Sequence, residues 1–260
     1  MSRPTRLRRL AALLVGAACA FPFVYLAALS FVGRWAPDRL LPEAWTAGRW
    51  ATVFMGGTGL GVSFLTSGAV ALAVAAVATA VGFVAARYVA YHRRRRALLF
   101  LAYVPFAMSP VLLGVCLLHL YLRAGLGGTA AGVVLAHATL ALGFAVVFFT
   151  AFWTPRVRAM EDAAFTLGAS RRQVYGRVLL PQARGLLVIG FFQTFLLSWF
   201  QYGLTLLVGG GKVQTLPVKV FNYLNEASPY YAALAACLIV IPPALLLVVN
   251  RRAVFRDVGV

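Results

Sequence analysis

The chain has 260 residues, 62% of them hydrophobic and 12% charged, with a formal net charge of +18. Its apolar runs exceed the roughly 18 residues that read as a membrane-spanning helix, which excludes an ordinary water-soluble core. The excess charge would fit nucleic acid in a soluble protein, but here it sits in short segments between the apolar runs, and no nucleic-acid partner is expected.

Six such runs follow one another, at about residues 10–32, 64–86, 97–122, 129–154, 185–208 and 231–250. Each can satisfy its backbone hydrogen bonds internally as a helix, as lipid demands, so the expectation is an all-α integral membrane protein, one domain over 1–260. The first run follows Arg3, Arg6, Arg8 and Arg9, as a secretory signal would. Its length exceeds the usual roughly 7–15 apolar residues of a signal, so it is expected to remain as the first helix. Pro105 and Pro110 in the third run, and Pro242-Pro243 in the sixth, are expected to kink their helices.

With the N-terminus in the cytoplasm, 18 of the 24 basic residues fall inside, among them Arg87, Arg93 to Arg96, six arginines between the fourth and fifth runs, and Arg251, Arg252 and Arg256. Outside fall Arg34, Arg39, Arg49, Arg123, Lys212 and Lys219. This bias places both termini in the cytoplasm.

Several chemistries find no support. Cys19, Cys116 and Cys237 lie in three separate runs with no metal spacing, and read as small buried hydrophobes. His119 and His137 read as packed or interfacial side chains, not ligands. The six acids, Asp38, Glu43, Glu161, Asp162, Glu226 and Asp257, all lie outside the runs, which leaves few means of coupling to an ion gradient. Neither "VGGGKVQ" at 208–214 nor "GGTGLGV" at 56–62 has the spacing of a nucleotide-binding loop, so no cofactor is expected on this chain. Active transport would draw its energy from a partner.

Between the fourth and fifth runs lies "MEDAAFTLGASRRQVYGRVLLPQA", 160–183. Met160, Ala163, Ala164 and Leu167 recur at helical spacing, with Glu161 and Asp162 expected in the first turn. Gly168 suits a helix end, Ser170 a new N-cap, and Gln173 the matching capping-box position. Two short cytoplasmic helices joined at a glycine are expected, with Pro181 leading to the next membrane helix. Ala163, Ala164 and Gly168 would form a low surface that a partner approaches closely, with Arg171 and Arg172 free to pair with its acids. An amphipathic helix lying on anionic lipid fits these properties equally.

Spacing adds more. Asp162-Ala163-Ala164, three residues, Gly168, nine residues, then Val178-Leu179-Leu180-Pro181 resembles the EAA loop of permease subunits of binding-protein-dependent ABC importers. Two positions depart: Asp162 stands where Glu is usual, with Glu161 beside it, and Val178 replaces Ile. "LPEAWTAGRWATVF" and "FLTSGAVALAVAAVATAVGFVAARY" are similar to the stretch before helix two and to helix two of such permeases, and "TLPVKVFNYL" resembles the polyamine, ferric-iron and thiamine branch.

The resemblance implies the MetI-like fold of a type I importer permease, with six transmembrane helices, a core at about 60–252 and an EAA coupling loop at about 155–184. It implies contact with an ABC ATPase, which binds ATP and Mg, through Glu161, Asp162, Ala163, Ala164, Gly168, Ala169, Arg171, Arg172, Leu180 and Pro181. It also implies an extracytoplasmic substrate-binding protein, a bacterial plasma membrane, and a second permease, a heterodimer being favoured over a homodimer. An ion-gradient-driven carrier and a non-transporting membrane subunit are the alternatives. In the fifth run Gln193, Leu197 and Gln201 repeat at four, and Thr194, Ser198 and Tyr202 beside them, giving one polar face on a single helix. This face either lines the translocation path or bonds neighbouring helices.

Overall fold

A computed structural model describes residues 6–36, 39, 41–55 and 59–255. Arg3, Asp38, Gly56, Arg256 and Asp257, which entered the readings above, lie outside them. The chain forms two compact units, Met1–Phe64 with Leu216–Pro242, and Leu65–Thr215 with Pro243–Val260.

The first unit begins with α1 (Arg6–Ser30), an apolar helix exposed from Leu10 to Tyr25 and increasingly buried towards Ser30. A short antiparallel pair follows, β1 (Val32–Arg34) with β2 (Ala44–Trp45), and then α2 (Gly48–Phe54). The Arg49 guanidinium fixes this pair by donating to the carbonyls of Val32 and, at 3.1 Å, of Gly33. It also lies 4.7 Å from the ring centre of Tyr230 in α12 (Pro229–Phe255), a cation–π contact. Helix α11 (Leu216–Asn225) precedes α12, which continues through Pro242 and Pro243 as one helix.

The second unit holds most of α3 (Leu60–Tyr91) and all of α4 (Arg95–Ala107), α5 (Pro110–Arg123) and α6 (Ala130–Phe149). The third apolar run is therefore not one helix with kinks: α4 and α5 meet at 97°. Pro105 stays within α4, and the break comes at Met108 and Ser109, both extended with ψ of 147° and 134°. Pro110 explains it, because its ring disfavours the helical conformation at Ser109 and supplies no N–H to continue the ladder.

The core of this unit is aromatic and small-residue packing. Phe83 of α3 lies 4.8 Å from the Trp153 ring centre and edge-on to Phe149, and all three are buried. Between α3 and α6 the backbones come so close that a Cβ on Gly82 would lie 2.5 Å from that of Ala145. Small residues serve in lipid because no water drives helices together, so close van der Waals packing must.

After α7 (Pro155–Thr166) the chain runs without interruption from α8 (Arg171–Gln173) through a π-helical turn (Val174–Leu179) into α9 (Leu180–Trp199). The wide turn has a local cause. Pro181 has no N–H, and its ring would press on the carbonyl four residues back, a conflict relieved by i→i+5 bonding such as Leu180 N to Tyr175 O. Helix α10 (Gly203–Gly209) follows a break at 200–202. Among the described residues five helices are long and apolar enough to cross a membrane, or six if α4 and α5 count as one span.

Candidate functional site

Two regions collect the residues singled out from the sequence. The first is the segment from α7 to the start of α9. Helix α7 begins at Pro155 behind the N-cap Thr154, whose hydroxyl accepts from Val157 N, so it starts five residues before the expected Met160. The expectation that Glu161 and Asp162 sit in its first turn is corrected accordingly. The reason is a start signal passed over: proline suits the first helical position, and threonine the cap before it.

The two acids then diverge. Glu161 is 1% exposed and faces the core, where Arg87 of α3 donates to it from Nη2 to Oε1 at 2.7 Å and from Nε to Oε2 at 3.2 Å. Asp162 is exposed. Neighbouring bonds tie α3 to the two residues that lead into α7, with Trp153 Nε1 donating to Phe83 O at 3.1 Å and Tyr91 Oη to Thr154 O at 3.2 Å. The apolar stripe is likewise divided: Met160 and Ala164 pack against the core, whereas Ala163 is exposed and Leu167 is 87% exposed.

At its end α7 is closed by Gly168, in the left-handed region with φ of +82°. Gly168 N bonds Phe165 O, and Ala169 N bonds Ala164 O, the paired closure in which glycine carries no steric penalty. Ser170 and Gln173 form the reciprocal capping box. The expected second short helix is corrected, since α8 is the opening turn of the long helix through α9. Ala169 is half-buried, and Arg171, Arg172, Leu180 and Pro181 are exposed.

The second region is a cavity of about 380 Å³ whose wall includes Phe106, Met108 and Pro110 from the α4–α5 bend and Gln193, Phe200 and Gln201 from α9 and the break after it. The single polar face expected along the fifth run is corrected here, because α9 ends at Trp199 and leaves Gln201 and Tyr202 in the break. Gln193 and Gln201 reach the cavity wall. Thr194 and Ser198 are buried and turned to other helices, Thr194 lying 3.4 Å from Thr79 of α3 and bonding Gly190 O.

His137 of α6 spans the break. Its Nδ1 lies 2.8 Å from Ser198 Oγ at the end of α9, and its Nε2 lies 2.9 Å from Thr205 Oγ1 in α10. Thr205 donates its only proton to Gln201 O at 3.1 Å. It must therefore accept from His137, which puts the ring proton on Nε2 and, with the ring neutral, makes Ser198 the donor to Nδ1. Glycine lets α10 reach α5: a Cβ on Gly203 would lie 2.9 Å from Val111 Cγ2. No group of metal-ligating side chains occurs among the described residues.

The family model described as the binding-protein-dependent transport system inner membrane component matches residues 78–259. The chain is 34% identical over 142 residues to a probable molybdenum ABC transporter permease protein of Haloferax volcanii, covering 51% of this chain and 52% of that one. It is 28% identical over 168 residues to the sulfate transport system permease protein CysW of Synechocystis, covering 57% and 61%. With the putrescine transport system permease protein PotI of Escherichia coli it shares 26% identity over 245 residues, covering 88% and 85%. It thus spans half to three-fifths of the length of the first two relatives and most of the third. Its fold is similar to a chain in the crystal structure of a bacterial ABC transporter involved in import of the acidic polysaccharide alginate, with a TM-score of 0.55, 15% identity and 96% of each chain covered.

Proposed function

Because the chain belongs to the family of binding-protein-dependent transport system inner membrane components, we propose that it is the permease subunit of an ATP-driven importer, forms half of a solute path, and engages a separate ATPase through residues 155–184. The observation that carries the loop's role is Leu167. A leucine 87% exposed at the tip of a polar segment, beside the exposed Ala163 and the Gly168 turn, offers an apolar contact. Covering it returns about 2 kcal/mol. Asp162, Arg171 and Arg172 around it supply charge for register.

The loop lies in the cytoplasm in this reading, both termini with it, in a bacterial plasma membrane. ATP and Mg bind the partner ATPase, so this chain is no enzyme by itself. ATP binding selects between two arrangements of the helices, and the loop carries the difference in free energy. A binding protein delivers the solute from outside. One chain supplies one loop, so a second permease completes the assembly, and a distinct partner is favoured over a second copy.

The test is crosslinking. Cysteine at Ala163 or Ala169 is expected to join a co-expressed ATPase subunit with a yield that changes on adding ATP. Labelling of these positions from outside sealed cells overturns the topology and the function together. Uptake that follows an ionophore-sensitive gradient and not ATP assigns the chain to the carriers instead.

A further inference from the structure

Resting on the solute path proposed above, we infer that the cavity between the two helix breaks is a solute-binding subsite built from the Gln193 and Gln201 carboxamides, with His137 as its positioning residue, for a small polar solute recognised by hydrogen bonds and not by counter-charge.

Gln201 is 8% exposed, lines the cavity, and its carboxamide makes no hydrogen bond among the described residues. The amide is accessible from the cavity, and hydrogen-bonding capacity that the fold leaves unused at a cavity wall is available to a ligand. Gln193, eight residues earlier, lines the same space from α9. Between them the two side chains offer four N–H donors and two carbonyl oxygens. The remainder of the wall described above is apolar, and no ionisable side chain lines it. Its volume falls within the range of small-molecule pockets.

Gln201 holds this position because it is not in a helix. Irregular backbone inside a membrane is tolerated only where it is buried in protein or lines a cavity. Here the network from Ser198 through His137 and Thr205 to Gln201 O holds the break from both sides. Straightening it into one helix would strip His137 of at least one partner and redirect Gln201. A wall with no fixed charge also explains how such a site could serve a family whose relatives bear names as different in charge as putrescine and sulfate. The sign of the solute's charge is then read elsewhere.

The test has two arms, in membranes containing the chain with its partner subunits. In the first, Cys19, Cys116 and Cys237 are replaced by serine and Gln201→Cys is introduced. Cationic and anionic methanethiosulfonate reagents should modify position 201 at rates within about threefold of one another, since no nearby charge selects between them. Adding His137→Leu should change both rates about tenfold or more, as the break loses its pin. No modification of position 201, or rates that His137→Leu leaves unaltered, overturns the proposal.

The second arm uses sulfate, molybdate and putrescine as probes of ATP-driven uptake. For whichever is carried, Gln201→Leu should raise KM about tenfold. His137→Leu should raise it similarly, the double variant no further than Gln201→Leu alone, and His137→Gln, which keeps a donor and an acceptor, should stay within about threefold of wild type. Unchanged KM in Gln201→Leu, or additive effects in the double variant, overturns the proposal. If none of the three is carried, that failure bears on the importer reading, and the labelling arm still decides the subsite.

Discussion

Glu161 and Arg87 stand 74 residues apart in the chain and share two hydrogen bonds, of 2.7 and 3.2 Å, that fasten α7 to the end of α3. The pair is lopsided, since the carboxylate is buried whereas the arginine side chain is 38% exposed. Removing the arginine strands a buried charge, and Arg87→Gln should cost about 3 kcal/mol. Glu161→Gln leaves a guanidinium that water can reach, and should cost only about 1 kcal/mol. Thermal unfolding of the purified complex checks the order, and equal losses would show that burial of Glu161 is not what matters.

Leu167→Ser should leave unfolding of the chain within about 0.5 kcal/mol of wild type, because the side chain is exposed and touches little of its own protein. The affinity for the ATPase, read from its recovery with the tagged permease across a dilution series, should nevertheless fall about thirtyfold, in line with the loss of about 2 kcal/mol from one buried leucine at an interface. Undiminished recovery would remove Leu167 from the contact.

At Gly168, with φ of +82°, a β-branched residue pays a backbone strain of about 1–2 kcal/mol. No neighbour would obstruct an added Cβ, so the effect is conformational and not steric crowding. Gly168→Val should insert normally yet lose ATP-driven uptake, whereas Gly168→Asn, which tolerates the left-handed region, should retain much of it. Uptake counted in sealed vesicles separates the two.

The proposed pairing is tested by copy number. Complexes purified from cells expressing two differently tagged versions of this chain should carry one tag at a time, together with a second permease. Both tags in one complex would establish a homodimer, and one copy with no other permease would count against the importer reading.

How far the chain announced these features depends on the range of the interactions behind them. The Gly168 closure and the Ser170–Gln173 box are local chemistry within a few residues, and both were legible. The Arg87–Glu161 pair was not, because nothing in the spacing of one helix says which residue of another will face it. The break at 200–202 was hidden for a similar reason. Only Gly203 marks it locally, and the bonds that hold it come from His137, far back in α6. The α4–α5 bend lay between these cases, since Pro110 pointed to the place but a kink was expected where a 97° turn occurs.

From Arg171 to Trp199 the chain is one helix of 29 residues, about 44 Å long. One end abuts the Gly168 turn, and the other stops two residues short of Gln201. It is a lever. A tilt of about 5° with either end as fulcrum sweeps the opposite end through about 4 Å, roughly the width of a methyl group, without breaking a single backbone bond. A push applied at the loop therefore reaches the cavity as displacement and not as unfolding. The π turn at Val174–Leu179 is the irregular stretch near its loop end. Stiffness between that turn and Trp199, more than the strength of any one contact, then decides how much of the stroke arrives.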